Sequence, residues 1–325
     1  MNKRERLHAA IEKKPVDRPP IGLWRHFPGD DLDAEKFARR VVEFQEKYDF
    51  DFVKVTPAAS YVAELYGGEL QDAGNREGTR THTRRVINDW RDWNQVKPIE
   101  MNHPVFRREH EAMQRIRHAL GKDVPILQTL FSPLSCARTL AGDRLVQDMR
   151  EHPGELKHAL HALGTTMERF GFNAVQAGAD GLFLATQVAS RDVLTPEESR
   201  AFGQAYNLAL INELRGHVDF VMLHIHGENI YYEHLFKYPV QIVNWHDRKT
   251  PPSLRAGKAL FDGAVAGGID EWDVLQTTPD AIAAQIQDAI RQTDGTGLIV
   301  GAGCVIPIDT PPLNIKAARE AVEPV

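Results

Sequence analysis

The stretch GLFLATQVASRDVLTPEESRAFGQAYNLALINELRGHVDFVMLHIHG, residues 181–227, decides the fold. It begins and ends with short apolar runs, at 181–185 and 220–224, each of the length and composition of a buried strand. Between them, TPEE at 195–198 predicts a helix start, with threonine as N-cap, proline in the first turn and the second glutamate closing a capping box. A strand, a helix and a further strand in this order predict that the two strands pair in parallel.

The same alternation runs along the whole chain. Eight apolar runs have the character of strands, at residues 21–24, 52–55, 126–129, 181–185, 220–224, 241–244, 263–267 and 298–300. Helical periodicity lies between them, as over residues 34–48, and the polar segment 67–98 predicts an inserted hairpin at 79–89. Eight strands alternating with helices predict an α/β fold, a single (β/α)8 TIM barrel over residues 1–325. Its active site would lie at the carboxyl ends of the strands.

A doubly wound open sheet is the competing architecture. It would be favoured by a dinucleotide or phosphate-binding fingerprint after the first strand. The pair Gly301 and Gly303 lacks the third glycine and follows the last strand, not the first. The barrel is therefore the better prediction.

Composition excludes several function classes. The 39 basic and 45 acidic residues leave a net charge of −6, which argues against nucleic acid or an anionic membrane as the main partner. No apolar run approaches the roughly 18 residues of a membrane span, and the amphipathic start does not read as a signal segment, so we expect a cytoplasmic protein. Two cysteines, Cys136 and Cys304, are too few for a disulfide framework and should be reduced thiols.

Metal-ligand side chains follow two of the predicted strands. His224 and His226 are two residues apart, so in a strand both imidazoles point to the same face. Cys304 follows the apolar run 298–300, at another strand end. Two imidazoles and a thiolate suit zinc and leave a fourth position open for substrate. A lone His-x-His pair is more often two core histidines, but the distant cysteine favours the metal site.

Polar residues follow most of the other predicted strands, and this recurrence predicts a substrate site. His246 or Asp247 would be a displaceable fourth ligand or a general base, although a salt bridge to Arg248 would equally explain Asp247. Arg25 and His26 would orient the substrate. The remaining expected substrate-binding residues are Thr56, Gln187, Arg191 and Trp245. Cys136 is interpreted as a packing residue.

Four segments resemble the uroporphyrinogen decarboxylase superfamily: DRPPIG at 17–22, QTLFSPL at 128–134, ADGLFLATQ at 179–187 and GCVIP at 303–307. The resemblance runs over about residues 3–322 and implies a (β/α)8 barrel. One branch of the superfamily comprises metal-free decarboxylases, which hold a tetrapyrrole with two arginines and carry a Gly-His pair near the C-terminus. This chain offers Arg25 for the first arginine, lacks the second, and has Gly303-Cys304 in place of Gly-His. Both departures argue against that reaction.

The other branch comprises corrinoid-dependent methyltransferases that methylate a thiol. Members of this branch bind zinc through a His-x-Cys pair and a distant cysteine, with a carboxylate as displaceable fourth ligand. The resemblance implies a similar site in this chain. His224 and Cys304 match these positions, His226 stands where the branch has cysteine, and Asp247 falls near the carboxylate. The implied partners are a corrinoid protein or tetrahydrofolate, and a homodimer follows only by analogy with the decarboxylases.

The exchange of cysteine for His226 has an electrostatic consequence. One thiolate and two neutral imidazoles leave a net positive charge around Zn²⁺, whereas two thiolates would neutralise it. The leading hypothesis is a zinc-dependent methyltransferase acting on a small molecule. The alternatives are a metal-free decarboxylase or lyase that uses Arg25 and Arg191 as carboxylate clamps, and a zinc hydrolase or lyase on the same barrel.

Overall fold

The computed structural model describes residues 1–59, 61–272 and 274–323. Within these residues, seven strands form one curled parallel sheet and two form a separate antiparallel hairpin. The hairpin consists of β2 (Glu69–Asp72) and β3 (Arg80–Arg84). The sheet contains, in spatial order, β1 (Val53–Val55), β4 (Ile126–Phe131), β5 (Gly181–Thr186), β6 (Phe220–Ile225), β7 (Ile242–Trp245), β8 (Ala264–Ile269) and β9 (Leu298–Ala302).

Helices connect the strands and cover the outside of the sheet. The capping box predicted at Thr195 is confirmed: its side chain accepts from the Glu198 backbone N–H, and the Glu198 side chain reaches back to the Thr195 N–H. The helices are α1 (Lys3–Ile11), α2 (Ala34–Tyr48), α3 (Tyr61–Leu65), α4 (Pro104–Leu120), α5 (Pro133–Ala141), α6 (Arg144–Glu151), α7 (Pro153–Ala177), α8 (Pro196–Glu198), α9 (Ala205–Leu214), α10 (Tyr232–Leu235), α11 (Leu254–Leu260), α12 (Pro279–Thr293) and α13 (Pro312–Glu320).

A search of the described helices for one with the length and apolar character to cross a membrane finds none.

Two sequence predictions of secondary structure were wrong in part. The hairpin was placed at 79–89 but begins at Glu69, because both of its strands are polar and exposed and give little apolar alternation. The run 21–24 was predicted as a full strand but forms a single parallel bridge, from Ile21 to Val300 of β9. Pro19 and Pro20, directly before it, have no N–H to donate to a ladder, so the pairing cannot extend toward the N-terminus.

The segment around Ile21 is nevertheless hydrogen-bonded on two sides. The Gly22 N–H donates to the Val300 carbonyl at 3.1 Å, and the Val300 N–H donates to the Pro20 carbonyl at 2.8 Å. On the other side, the Asp51 N–H donates to the Ile21 carbonyl at 2.9 Å, two residues before β1 begins. The segment therefore lies between the last and the first strand of the sheet.

Side chains of the parallel strands alternate between the inside of the curled sheet and the helices. On β6, Phe220 and Met222 belong to the inner apolar cluster, whereas Val221 and Leu223 pack in the outer core. His224 follows the inner set, and its ring stacks on inner Phe183 with centroids 5.2 Å apart. This period of two is what delivers side chains to the carboxyl end of the interior.

A buried carboxylate fastens the Ile21 segment. Asp51 is fully buried, and its two oxygens accept from Arg6 at 2.7 Å, from Arg18 at 2.7 and 3.1 Å, and from the Ile21 N–H at 2.8 Å. One side chain thus joins α1, the Arg18 segment and the edge of the sheet. Removing it would leave two buried guanidinium groups without this partner.

We expect Asp51→Ala to lower the free energy of unfolding by about 3–5 kcal/mol, because it breaks a buried, multiply bonded ion pair. Urea denaturation followed by circular dichroism measures this loss. The control is Asp49→Asn, because Asp49 is mostly exposed and its ion pairs with Lys3 and Arg319 lie at the surface; its cost should be about 1 kcal/mol or less. Equal costs in the two variants would contradict the role given to Asp51.

Candidate metal centre

Four side chains with metal-ligand atoms meet at the carboxyl ends of three strands. They are His224 on β6, His226 just after β6, His246 just after β7 and Cys304 two residues after β9. Their ligand atoms all lie within 4.8 Å of one another. Cys304 Sγ is 3.8 Å from His224 Nε2 and 3.7 Å from His226 Nδ1. His246 Nε2 is 3.3 Å from His226 Nδ1.

The orientation of His224 is set by Asn244. The two residues are register partners on β6 and β7, and His224 Nδ1 is 2.6 Å from Asn244 Oδ1. The Asn244 amide nitrogen donates to the carbonyls of Ala266 and Ala302, so its oxygen must face the imidazole. His224 Nδ1 therefore carries the proton, and Nε2 keeps its lone pair toward Cys304. A metal-binding histidine needs this kind of support.

His246 is supported in the same way by Glu271. His246 Nδ1 is 2.8 Å from Glu271 Oε1, so this nitrogen donates to the carboxylate and Nε2 is left as the ligand atom. Glu271 is itself buried, and Lys249 Nζ lies 3.6 Å from the same oxygen. Burial alone would raise the pKa of Glu271, but His246, a backbone N–H and Lys249 together outweigh it and hold the pKa below its usual value.

Protonation favours ligation at the imidazoles and opposes it at the thiol. Burial lowers the pKa of His224 far below its ordinary value and that of His226 to about 4, so both rings are neutral at physiological pH. Burial also raises the pKa of the Cys304 thiol to about 12. Cys304 must lose its proton to bind a metal ion, because the thiolate is the ligand. Three imidazole lone pairs and one thiol directed at each other fit a zinc ion.

A cavity of about 170 Å³ lies above the cluster and opens to solvent. Its walls combine aromatic rings with a few polar side chains, an arrangement typical of small-molecule sites. The lining residues are Trp24, His26, Lys54, Thr56, Pro57, Ala59, Glu77, Thr79, Thr129, Phe131, Phe183, Ala185, Gln187, His224, His226, Cys304 and Val305.

The turn between β2 and β3 forms one wall of this cavity. Gly78 has φ of +74°, and a Cβ there would meet Ile308 at 2.8 Å and His26 at 3.1 Å, so glycine permits the close approach. The Ile308 N–H donates to the Arg76 carbonyl at 2.7 Å, and Arg76 pairs with Asp309 at 2.9 Å. The inserted hairpin is thereby fastened to the loop that carries Cys304.

The structure does not bring Asp247 or Trp245 to the cluster. Both lie on the outward-pointing positions of β7 and its extension, opposite to Asn244 and His246. Asp247 is buried against β8, where it accepts from the Gly268 N–H at 3.0 Å, and burial raises its pKa to about 7. The Trp245 indole donates to the Pro252 carbonyl in the outer core. Their predicted roles as ligand and substrate contact have no support from this placement.

The other predicted substrate residues divide between the cavity and the outside. His26, Thr56 and Gln187 line the cavity. Arg25 does not: it lies over the Phe27 ring and lines a neighbouring pocket and groove. Arg191 is exposed and pairs with Glu233 at 2.5 Å.

Two residues of the site had not been singled out from the sequence. Glu271 follows β8, which extends to Ile269, two residues beyond the predicted run; the rule that found the other strand-end groups would have found it with the correct boundary. Lys54 lies within the predicted strand 52–55, between inward-facing Phe52 and Thr56. A lysine in the middle of a fully buried strand was the available signal.

Comparison with known proteins places the chain in a family. The chain belongs to the uroporphyrinogen decarboxylase (URO-D) family, whose profile matches residues 2–325, and this confirms the resemblance. Its relatives include the methylcobamide:CoM methyltransferase MtbA of Methanosarcina acetivorans, 22% identical over 98% of this chain and 97% of the relative. They also include MtaA of Methanosarcina barkeri, named as the same activity, 25% identical over 96% and 95%. Among solved structures, a methyltransferase from Methanosarcina mazei superposes with a TM-score of 0.83 at 20% identity, covering 99% and 98% of the two chains.

We expect the purified protein to contain about one zinc ion per chain and Cys304→Ala to lose most of it, since three imidazoles without the thiolate bind zinc more weakly. Elemental analysis of protein purified without chelators measures this content. Cys136→Ala is the matched control, because Cys136 is fully buried in the outer core, where its Sγ contacts the Phe131 carbonyl. Equal metal content in both variants would contradict the assignment.

Proposed function

We propose that the protein is a zinc-dependent methyltransferase that moves a methyl group between a corrinoid carried by a partner protein and a thiol-bearing small molecule. The observation that carries the proposal is the cluster of His224, His226, His246 and Cys304 at the base of a solvent-open cavity. The relatives named as methylcobamide:CoM methyltransferases, matched over nearly their full length, support the corrinoid as partner. Tetrahydrofolate is the alternative methyl carrier.

The fold proposal is a closed (β/α)8 barrel in a single domain. The curled sheet supplies seven strands of this barrel. The eighth position belongs to the segment at Ile21, which is hydrogen-bonded toward β9 on one side and toward β1 on the other. The solved methyltransferase with a TM-score of 0.83 supports this reading. In a barrel the carboxyl ends of the strands form one mouth, which is where an acceptor and a protein-bound corrinoid would enter.

A zinc ion held by these residues would supply Lewis-acid character, which lowers the pKa of a thiol. Other side chains of the protein fix the protonation state of the ligand atoms. Asn244 holds the proton of His224 on Nδ1, and Glu271 holds that of His246 on Nδ1, so the ligand nitrogens stay deprotonated. Phe183 and Trp24 line the cavity and give it an apolar wall.

His246 is the proposed fourth, displaceable ligand. Its Nε2 lies 3.3 Å from His226 Nδ1, inside the cluster, whereas Asp247 accepts a backbone hydrogen bond on the other face of the strand. Glu271 lies within hydrogen-bond distance of His246 Nδ1 and would stabilise positive charge on that ring. His246 would then serve as a proton acceptor near the substrate thiol.

The placement of the arginines weakens the decarboxylase alternative. That reaction was expected to use Arg25 and Arg191 as carboxylate clamps. Arg25 lies outside the cavity that contains the cluster, and Arg191 is engaged by Glu233 and the Ile230 carbonyl. No specific feature of the site favours the hydrolase alternative over methyl transfer.

The direct test uses methylcobalamin as donor and a panel of thiols that includes coenzyme M, with loss of the methylcobalamin absorbance as the readout. Cys304→Ala should reduce the rate by about 100-fold or more, because it removes the anionic ligand of the metal site. Cys136→Ala should keep the wild-type rate. Transfer at wild-type rates by Cys304→Ala would refute the mechanism, and no transfer to any thiol by zinc-loaded protein would refute the proposed acceptor class.

A second prediction concerns His226, where the methyltransferase branch has cysteine. His226→Cys adds a second thiolate and reduces the positive charge at the metal site, so a bound substrate thiolate becomes more nucleophilic. We expect faster thiol methylation by this variant than by the native enzyme, at equal zinc content. Single-turnover rates with methylcobalamin measure the difference, and equal rates would count against the charge argument.

A further inference from the structure

Lys54 is a buried lysine for which the described part of the chain supplies no carboxylate partner. Its side chain points from β1 into the cavity and is only 8% exposed. Its Nζ donates to Thr56 Oγ1 at 3.1 Å and lies 4.5 Å from the centre of the Phe183 ring and 5.8 Å from that of Trp24. Among the described residues, no carboxylate forms an ion pair or hydrogen bond with Lys54. This holds also for Glu77, which lines the same cavity.

Burying an unpaired ammonium group is unfavourable. An ion taken out of water without a counter-ion costs several kcal/mol, and two aromatic faces and one hydroxyl return only part of this. The cost is visible in the protonation equilibrium, because burial lowers the pKa of Lys54 to about 7. A methionine or leucine would fill the position without this cost. The cation therefore has a use that the ligand-free protein does not show.

Lys54 lines the same cavity as His224, His226 and Cys304. Between them, the ring of Phe183 contacts both groups: His224 stacks on one side with centroids 5.2 Å apart, and Lys54 lies over the ring. The cavity thus offers a cation at one point, an aromatic wall, and the cluster.

We propose that Lys54 binds the anionic head group, a carboxylate or a sulfonate, of a short small molecule whose other end reaches His224, His226 and Cys304. The intervening carbon atoms of this molecule pack on Phe183. The identity of the reacting end rests on the proposed function, but the anion site is a property of the cavity itself. The site selects small anionic thiols over neutral ones, because only an anion completes the ion pair with Lys54.

The test uses two probes without a thiol, propionate and ethanesulfonate, with neutral propionamide as the control ligand. Isothermal calorimetry on zinc-loaded and on chelator-treated protein should detect binding of at least one anion and none of propionamide. The tighter of the two anions identifies the head group. Lys54→Met should weaken anion binding by about tenfold or more, and Lys54→Arg should retain it, because it keeps the charge. Lys157→Met is the matched control: this lysine also lies over a ring, 5.3 Å from Phe202, but is exposed and outside the cavity.

Thermal denaturation separates ligand binding from a structural role. If Lys54 is retained for a ligand, Lys54→Met keeps or raises the melting temperature while anion binding falls. Binding of neither anion by wild type, or equal binding by wild type and Lys54→Met, would overturn the proposal. The proposal would also be overturned if Lys54→Met lost zinc but bound the anions as wild type does, since the lysine would then stabilise the metal centre and not the ligand. Absence of methyl transfer with intact, Lys54-dependent anion binding would refute the proposed function alone.

Discussion

The parallel register between β6 and β7 is the constraint on which the site depends. It sets His224 opposite Asn244, so one hydrogen bond at 2.6 Å fixes the imidazole and its tautomer. The period of two then carries His226 and His246 to the same face one step further along each strand. A shift of either strand by one residue would turn these side chains outward and put Ile225 and Trp245 in their place.

The sequence predicted the parts of this arrangement that follow from periodicity. Seven of the eight expected strands occur, and the His-x-His pair and the distant cysteine converge as their strand-end positions indicated. The alternation of side chains along β7 separates inward-pointing His246 from outward-pointing Trp245 and Asp247. It can be applied only when the face to which Asn244 points is known. That facing is settled only by the pairing of β7 with β6.

Other parts were inaccessible to a pattern of single residues. The run at Ile21 has strand composition, but among the described residues it forms a single bridge, to β9, and the prolines before it prevent extension of the pairing toward the N-terminus. The end of β8 was misjudged because Gly267 and Gly268 resemble a break, and this hid Glu271 as a strand-end residue. Lys54 was hidden for a different reason: whether a lysine in a strand has a counter-ion depends on residues from other strands.

The buried polar groups around the cluster determine the protonation states of its four side chains. Asn244 and Glu271 leave two imidazole nitrogens without protons, and burial keeps His226 neutral, so the cluster is prepared for a cation before one arrives. The thiol of Cys304 is the exception, since burial opposes its ionisation. Binding of a metal ion should therefore release one proton. The attraction between the thiolate and the metal ion compensates for the cost of ionising the buried thiol.

The most direct test of this account is zinc-edge X-ray absorption on the zinc-loaded protein without substrate. Three imidazoles and one thiolate predict a single sulfur at about 2.3 Å and nitrogen neighbours at about 2.0–2.1 Å, with imidazole multiple scattering. Loss of one imidazole contribution in His246→Ala, but not in Asp247→Asn, would assign the fourth ligand. A first shell without sulfur, or one unchanged by His246→Ala, would contradict the central claim that these four side chains form the metal centre.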